Sequence, residues 1–264
     1  MTKNRIEVKF RELKKEGRKA FIAFITAGYP DLTVTKKLVL EFDKIGVDII
    51  ELGVPFSDPL ADGPVIQESS EEALKHKVNI PLILKLVKDI RRHSGVPICL
   101  MTYYNPVFCF GEERFTKEAR QAGVDGVIIP DLPPEEAGSL IRYAGKYGLA
   151  TIFFLSPTSS IRRMKLISKA SKGFIYYVSL TGVTGARMKL ACGLIKNIKL
   201  IKKYARKPIC VGFGVSRPEQ VKEIKRVADG IIVGSAIVGK IRENIGKPGL
   251  VNKTSNFVSR LKDV

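Results

Sequence analysis
Eight short apolar runs recur along the chain, and stretches with helical periodicity alternate with them. The runs fall at 20–26, 47–51, 96–101, 124–129, 150–155, 174–179, 208–212 and 230–233. They are nearly continuous in Val, Ile, Leu and Phe, the composition of strands buried on both faces in a parallel sheet. Amphipathic patterns lie at about 32–45, 81–93, 112–122, 134–147, 160–171, 190–205, 216–227 and 249–262, and a basic one at about 4–16 precedes the first run. Eight βα units in 264 residues, with no linker or low-complexity tract, predict an α/β fold: a single domain over 1–264, a TIM (β/α)8 barrel with an extra N-terminal helix. A doubly wound sheet is the alternative, but eight regular units suit barrel closure better. Ser216-Arg217-Pro218-Glu219 reads as a capping box, and Asp131-Leu132-Pro133-Pro134-Glu135-Glu136 puts prolines and acids where a helix begins.

Composition narrows the function. No apolar run reaches 18 residues, so no membrane span is expected. The stretch 20–28 follows a basic start, yet the residues before it carry Glu7, Glu12 and Glu16, which suits a first strand and not a secretion signal. Cys99, Cys109, Cys192 and Cys210 form no CxxC pair and no metal-type spacing with His76 and His93, so no metal site is expected and a reducing cytoplasm is the expected home. Both histidines sit in charged helical stretches, leaving carboxylate, tyrosine or lysine as the general base. The net charge is +19, and between Ile161 and Lys207 there are 13 Lys or Arg and no acid. These charges interleave with apolar residues at helical spacing and lack stacking aromatics. They read as solvated helix faces, with no nucleic-acid partner expected.

Barrel chemistry sits at the carboxyl ends of the strands. After the second run comes ELGVPFSDPLADGP (51–64), where Glu51 closes an apolar segment and Ser57, Asp58 and Asp62 follow on a loop stiffened by Pro55, Pro59 and Pro64. No basic residue accompanies Glu51 in its run, and burial would raise its pKa toward the acid/base range. Asp58 suits a helix cap near Pro64 equally well, and Asp62 before Gly63 suits a turn. Glycines recur after the last three runs, at Gly182 and Gly185, Gly212 and Gly214, and Gly234 before Ser235. Such glycines let main-chain N–H groups approach a phosphate.

These motifs, with PDLPPEE (130–136), LTGVTGAR (180–187), GFGVS (212–216) and VGSAIV (233–238), resemble those of tryptophan synthase alpha subunits, in order from about Arg5 to Leu261. The resemblance implies cleavage of indole-3-glycerol phosphate to indole and glyceraldehyde 3-phosphate. Glu51 would be the acid/base and Asp62 the partner of the indole N–H, with Tyr176 helping to position Glu51. Phosphate would rest on Gly185, Gly214, Gly234 and Ser235. Phe24, Leu100 and Phe213 would wall the pocket, and Thr184 would meet Asp62 when the sixth loop closes. It also implies an α2β2 assembly with a beta chain that carries pyridoxal phosphate, and no cofactor in this chain. The basic 161–207 segment is heavier than the family leads one to expect, and MKLACGL after LTGVTGAR lacks a proline stop. A scaffold that only activates a beta partner is the competing reading, against which intact Glu51 and Asp62 argue.

Overall fold
The computed structural model describes residues 4–178, 187–212 and 214–264, without the side chains of 187–192. In chain order the elements are α1 (Arg5–Lys15), β1 (Ala20–Thr26), α2 (Leu32–Lys44), β2 (Ile49–Gly53), α3 (Pro64–Lys75), α4 (Ile80–Ile90), β3 (Ile98–Met101), α5 (Tyr104–Phe110), α6 (Glu112–Ala122), β4 (Gly126–Ile128), α7 (Gly138–Tyr147), β5 (Ala150–Ile152), β6 (Phe154–Leu155), α8 (Ile161–Ala170), β7 (Ile175–Val178), α9 (Arg187–Tyr204), β8 (Ile209–Gly212), α10 (Pro218–Lys225), β9 (Gly230–Val233), α11 (Ser235–Arg242) and α12 (Leu250–Lys262). The strands hydrogen-bond in the order β5-β4-β3-β2-β1-β9-β8-β7-β6, with every pairing parallel. The two ends of that order, β5 and β6, flank Phe153 in one continuous run. Lys172 N donates to Thr151 O (2.8 Å) and Tyr176 N to Phe153 O (3.0 Å), so the ring closes through this segment as the expected TIM barrel. The doubly wound alternative, which needs two free edges, is excluded.

Side chains alternate across each strand. Ile22, Ile49, Cys99, Ile128, Ile152, Tyr176, Cys210 and Ile232 fill the barrel interior. Ile6, Phe10 and Leu13 of α1 plug its amino-terminal end, with the Phe10 ring tilted against Phe174 at a centroid distance of 5.8 Å. The outward residues meet the helices in a second, larger cluster.

Register decides which way Glu51 points, because a one-residue slip would turn it outward. Three aspartates pin it. Asp48, Asp125 and Asp229 each precede a strand and accept from the first turn of the neighbouring strand: Phe21 N (2.8 Å), Ile98 N (3.0 Å) and Ile209 N (3.0 Å). Asp125, fully buried, also pairs with Arg91 (2.9 Å), Arg5 (3.0 Å) and Arg120 (3.5 Å), tying α1 to the ring.

Two predicted helix starts are corrected. At α10 the helix begins one residue later than the predicted box, and Gln220, not Glu219, reaches back to Ser216 N (2.9 Å) and Arg217 N (3.0 Å). Asp131 does not start α7, which opens at Gly138. Its carboxylate accepts from Tyr104 N (2.9 Å) and so caps α5 across the mouth.

Candidate active site
Glu51 faces the barrel axis near the end of β2, in register with Phe24 on one side and Cys99 on the other. It is fully buried, and neither carboxyl oxygen has a hydrogen-bond partner among the described residues. Burial first, and then the nearby charge of Asp62, push its pKa up to about 8. A carboxyl so placed holds its proton at neutral pH.

Asp62 comes from the loop that leaves β2. That loop is folded on itself by Asp62 N to Pro59 O (3.0 Å) and Leu60 N to Asp58 O (2.9 Å), and Gln67 of α3 donates to Asp62 O (3.0 Å). Tyr103, just after β3, holds it from the other side. Its hydroxyl donates to Asp62 Oδ2 (3.0 Å), accepts from Ala61 N (2.9 Å), and its ring stacks on Phe56 at 5.2 Å. Burial raises the Asp62 pKa to about 6, with the Tyr103 hydrogen bond opposing the rise. Asp58 accepts from Ser57 Oγ (2.5 Å), and the cap position of α3 is Gly63, so Asp58 serves its own turn and not the helix.

Tyr176 is buried against Phe154 (ring centroids 4.7 Å apart) and its hydroxyl lies over Gly212, where an added Cβ would come within 2.5 Å. Burial, then the charges of Glu51 and Asp62, hold this phenol protonated. Phe24 wedges between the ends of β2 and β9: a Cβ would meet its ring at 2.6 Å from Gly53 and 3.3 Å from Gly234. Gly214 has φ +72, a conformation that favours glycine, while Gly234 forms the cap of α11 and Ser235 its exposed first residue. The first-turn amides of a helix have no carbonyl of their own to bond, so Gly234-Ser235 presents N–H groups at the end of β9 beside β8.

Leu100 does not face the pocket. It pairs with Leu52 and Val127 on the outward side of the sheet, fully buried against the helices, whereas Met101 lies in register with Gly53 on the Glu51 side. The run ICLM is apolar throughout, which hides that alternation. Tyr103 stands at a strand end, just past the third apolar run, but the sequence alone assigns it no role; the bond to Asp62 supplies one. Thr184, Gly185 and Phe213 lie outside the described residues. His76 and His93 are exposed, and no group of metal-binding side chains occurs among the described residues.

Two carboxyls with separated acidities, about 8 and about 6, stand at the mouth of a barrel, an arrangement suited to acid/base work. A family model described as tryptophan synthase alpha chain matches residues 10–263. The chain belongs to the tryptophan synthase alpha chain family. The alpha chain of Thermoanaerobacter sp. (strain X514) is 49% identical over 261 residues, covering 99% of both chains. The crystal structure of tryptophan synthase subunit alpha from Legionella pneumophila str. Paris superposes with a TM-score of 0.92 at 36% identity, covering 98% of this chain and 97% of that one. A chain from the tryptophan synthase a2b2 complex of Pyrococcus furiosus gives a TM-score of 0.86 at 39% identity, covering 93% and 98%. The tryptophan synthase alpha family is a family of lyases, and no helix among the described residues is long and apolar enough to cross a membrane.

Proposed function
We propose that Glu51 and Asp62 carry out the family's retro-aldol reaction, in which indole-3-glycerol phosphate is cleaved to indole and glyceraldehyde 3-phosphate. The protonated Glu51 carboxyl delivers its proton to indole C3, giving an indolenine. The ionised Asp62 accepts a hydrogen bond from the indole N–H and stabilises the positive charge that builds there. Glu51, now a carboxylate, takes the proton of the glycerol hydroxyl. The C–C bond then breaks, its electron pair returns to the indole ring, and the hydroxyl carbon becomes the aldehyde. Tyr103 holds Asp62 in place. Tyr176, Phe24 and Met101 wall the ring, and the N–H groups of Gly185, Gly214, Gly234 and Ser235 hold the phosphate.

The observation that carries this reading is a fully buried carboxyl without a partner among the described residues, beside a second acid at the barrel mouth. Residues 1–264 then act as one cytoplasmic catalytic domain. A beta chain, which carries pyridoxal phosphate, docks at the mouth in an α2β2 assembly and consumes the indole. Leu60 and Phe108, 92% and 64% exposed on the loop and helix beside the site, suit that contact. Glu51→Gln and Asp62→Asn should each reduce indole release by at least about a thousandfold while substrate binding persists. Turnover near that of the unmodified chain in either variant would end the assignment.

A further inference from the structure
The interior beneath Glu51 is lined by two thiols. Cys99 stands directly across from Glu51 on β3, and Cys210 stands across from Tyr176 on β8. Both are fully buried and free. The floor they form is tight. Cys210 Sγ occupies the space left by Gly230, where an added Cβ would lie 2.6 Å from it. Gly126, the next residue across from Cys99, leaves room only for Ile152 and Ile6, which would meet a Cβ at 2.8 and 2.9 Å. A buried water needs room and two or more polar partners, and the close packing at these two glycines and the weak polarity of the thiols disfavour one on this floor. Both thiols stay protonated, chiefly through burial, and the nearby acids would add to this wherever they ionise, Glu51 and Asp125 at Cys99 and Asp229 foremost at Cys210. A buried thiol behaves as a small hydrophobe with a weak S–H donor.

The residue beside Glu51 thus decides how well its charged form is solvated. In-register side chains on neighbouring strands stand about 5 Å apart at their roots, within reach of one another. A hydroxyl there would put a stronger polar group beside the Glu51 carboxylate and, directly or through a water, favour its ionisation. A bare glycine would let water do the same.

We propose that Cys99 is a positioning residue for the cleavage: its thiol fills the floor beneath Glu51 with a group that excludes water and offers no strong hydrogen bond, so that the carboxyl waits in its proton-bearing form. This rests on the reading of Glu51 as the proton donor. It names a residue whose own chemistry is silent and whose effect is read only through its neighbour.

The test is the pH dependence of kcat/KM for indole release in the full chain and in Cys99→Ser, Cys99→Gly and Cys99→Ala. The alkaline limb, where Glu51 loses its proton, should move down by about one pH unit in the serine variant, the size expected for one new hydrogen bond to a carboxylate. Glycine should move it the same way, and alanine, without a donor, should leave it within about 0.3 unit. A purely packing role would lower the rate or the melting temperature without moving the limb. Infrared difference spectra give a readout independent of turnover: the protonated-carboxyl band assigned to Glu51 by its loss in Glu51→Gln should weaken at neutral pH in Cys99→Ser and persist in Cys99→Ala. If serine fails to fold, the glycine variant is read by the same criteria. An unmoved limb and an unchanged band in both serine and glycine variants would overturn the role of Cys99. Indole release surviving in Glu51→Gln would instead remove the reading beneath it.

Discussion

Glu51 and Asp62 lie near one another yet titrate on opposite sides of neutrality, because burial acts on both, the Asp62 charge raises Glu51 further, and among the described residues only Asp62 has a hydrogen-bond donor to favour its charge. Cleavage needs Glu51 protonated and Asp62 ionised, so kcat/KM should follow a bell rising through about pH 6 and falling through about pH 8. Steady-state rates across that range check it; a profile flat from pH 5 to 9 would contradict the assignment. Tyr103→Phe removes the donor that restrains the Asp62 pKa, so the acid limb should shift upward and kcat/KM should fall by roughly tenfold or more. The raised acid also bears on stability. Glu51 lies above its ordinary value of 4.5 in the folded chain, so its protonation favours the fold fully below about pH 4.5, and that contribution is lost as pH rises toward about 8. Denaturant melts should show a decline of a few kcal/mol over this window in the parent and a flatter curve in Glu51→Gln. The two acids were legible in the sequence because they lie within one short segment, the end of β2 and the loop that leaves it. Tyr103 was not, since it meets Asp62 across 41 positions. Which of Leu100 and Met101 faces inward is not legible, because β3 (ICLM) carries no polar residue to mark the inward side.

At the scale of elements, every strand and most of the long helices were legible from apolar runs and periodicity, but α3, twelve residues over Pro64–Lys75, was expected only as a short helix opening near Pro64. The short helices α5 and α11 were not legible. α11 (SAIVGKIR) is apolar around most of its surface and holds a glycine, and α5 takes its cap from Asp131 on a different loop. The aspartate staples were equally hidden, because each acts on a residue 20 or more positions away. Asp125→Ala should leave Arg91 and Ile98 N without their buried partner and lower stability by about 3–5 kcal/mol in urea melts. The rate per folded molecule should change little, since the residue lies at the end of the barrel opposite Glu51. Gly212→Ala should do the reverse. Its methyl group meets the Tyr176 hydroxyl, so indole release should fall more sharply than the melting temperature.

The molecule divides its labour along the barrel axis. Strand ends, loops and acids gather at the mouth, whereas α1 with Ile6, Phe10 and Leu13 seals the base. Phe10→Ala leaves a hole against Phe174 and should cost about 3 kcal/mol or more. For a chain of this size that corresponds to a fall in Tm on the order of 10 °C, with the pH bell unmoved, as calorimetry and rate measurements would report. That stopper at the base has a wider implication. A lineage that meets a warmer or colder habitat can exchange residues in its first sixteen positions, altering heat tolerance without retuning the proton relay at the far end.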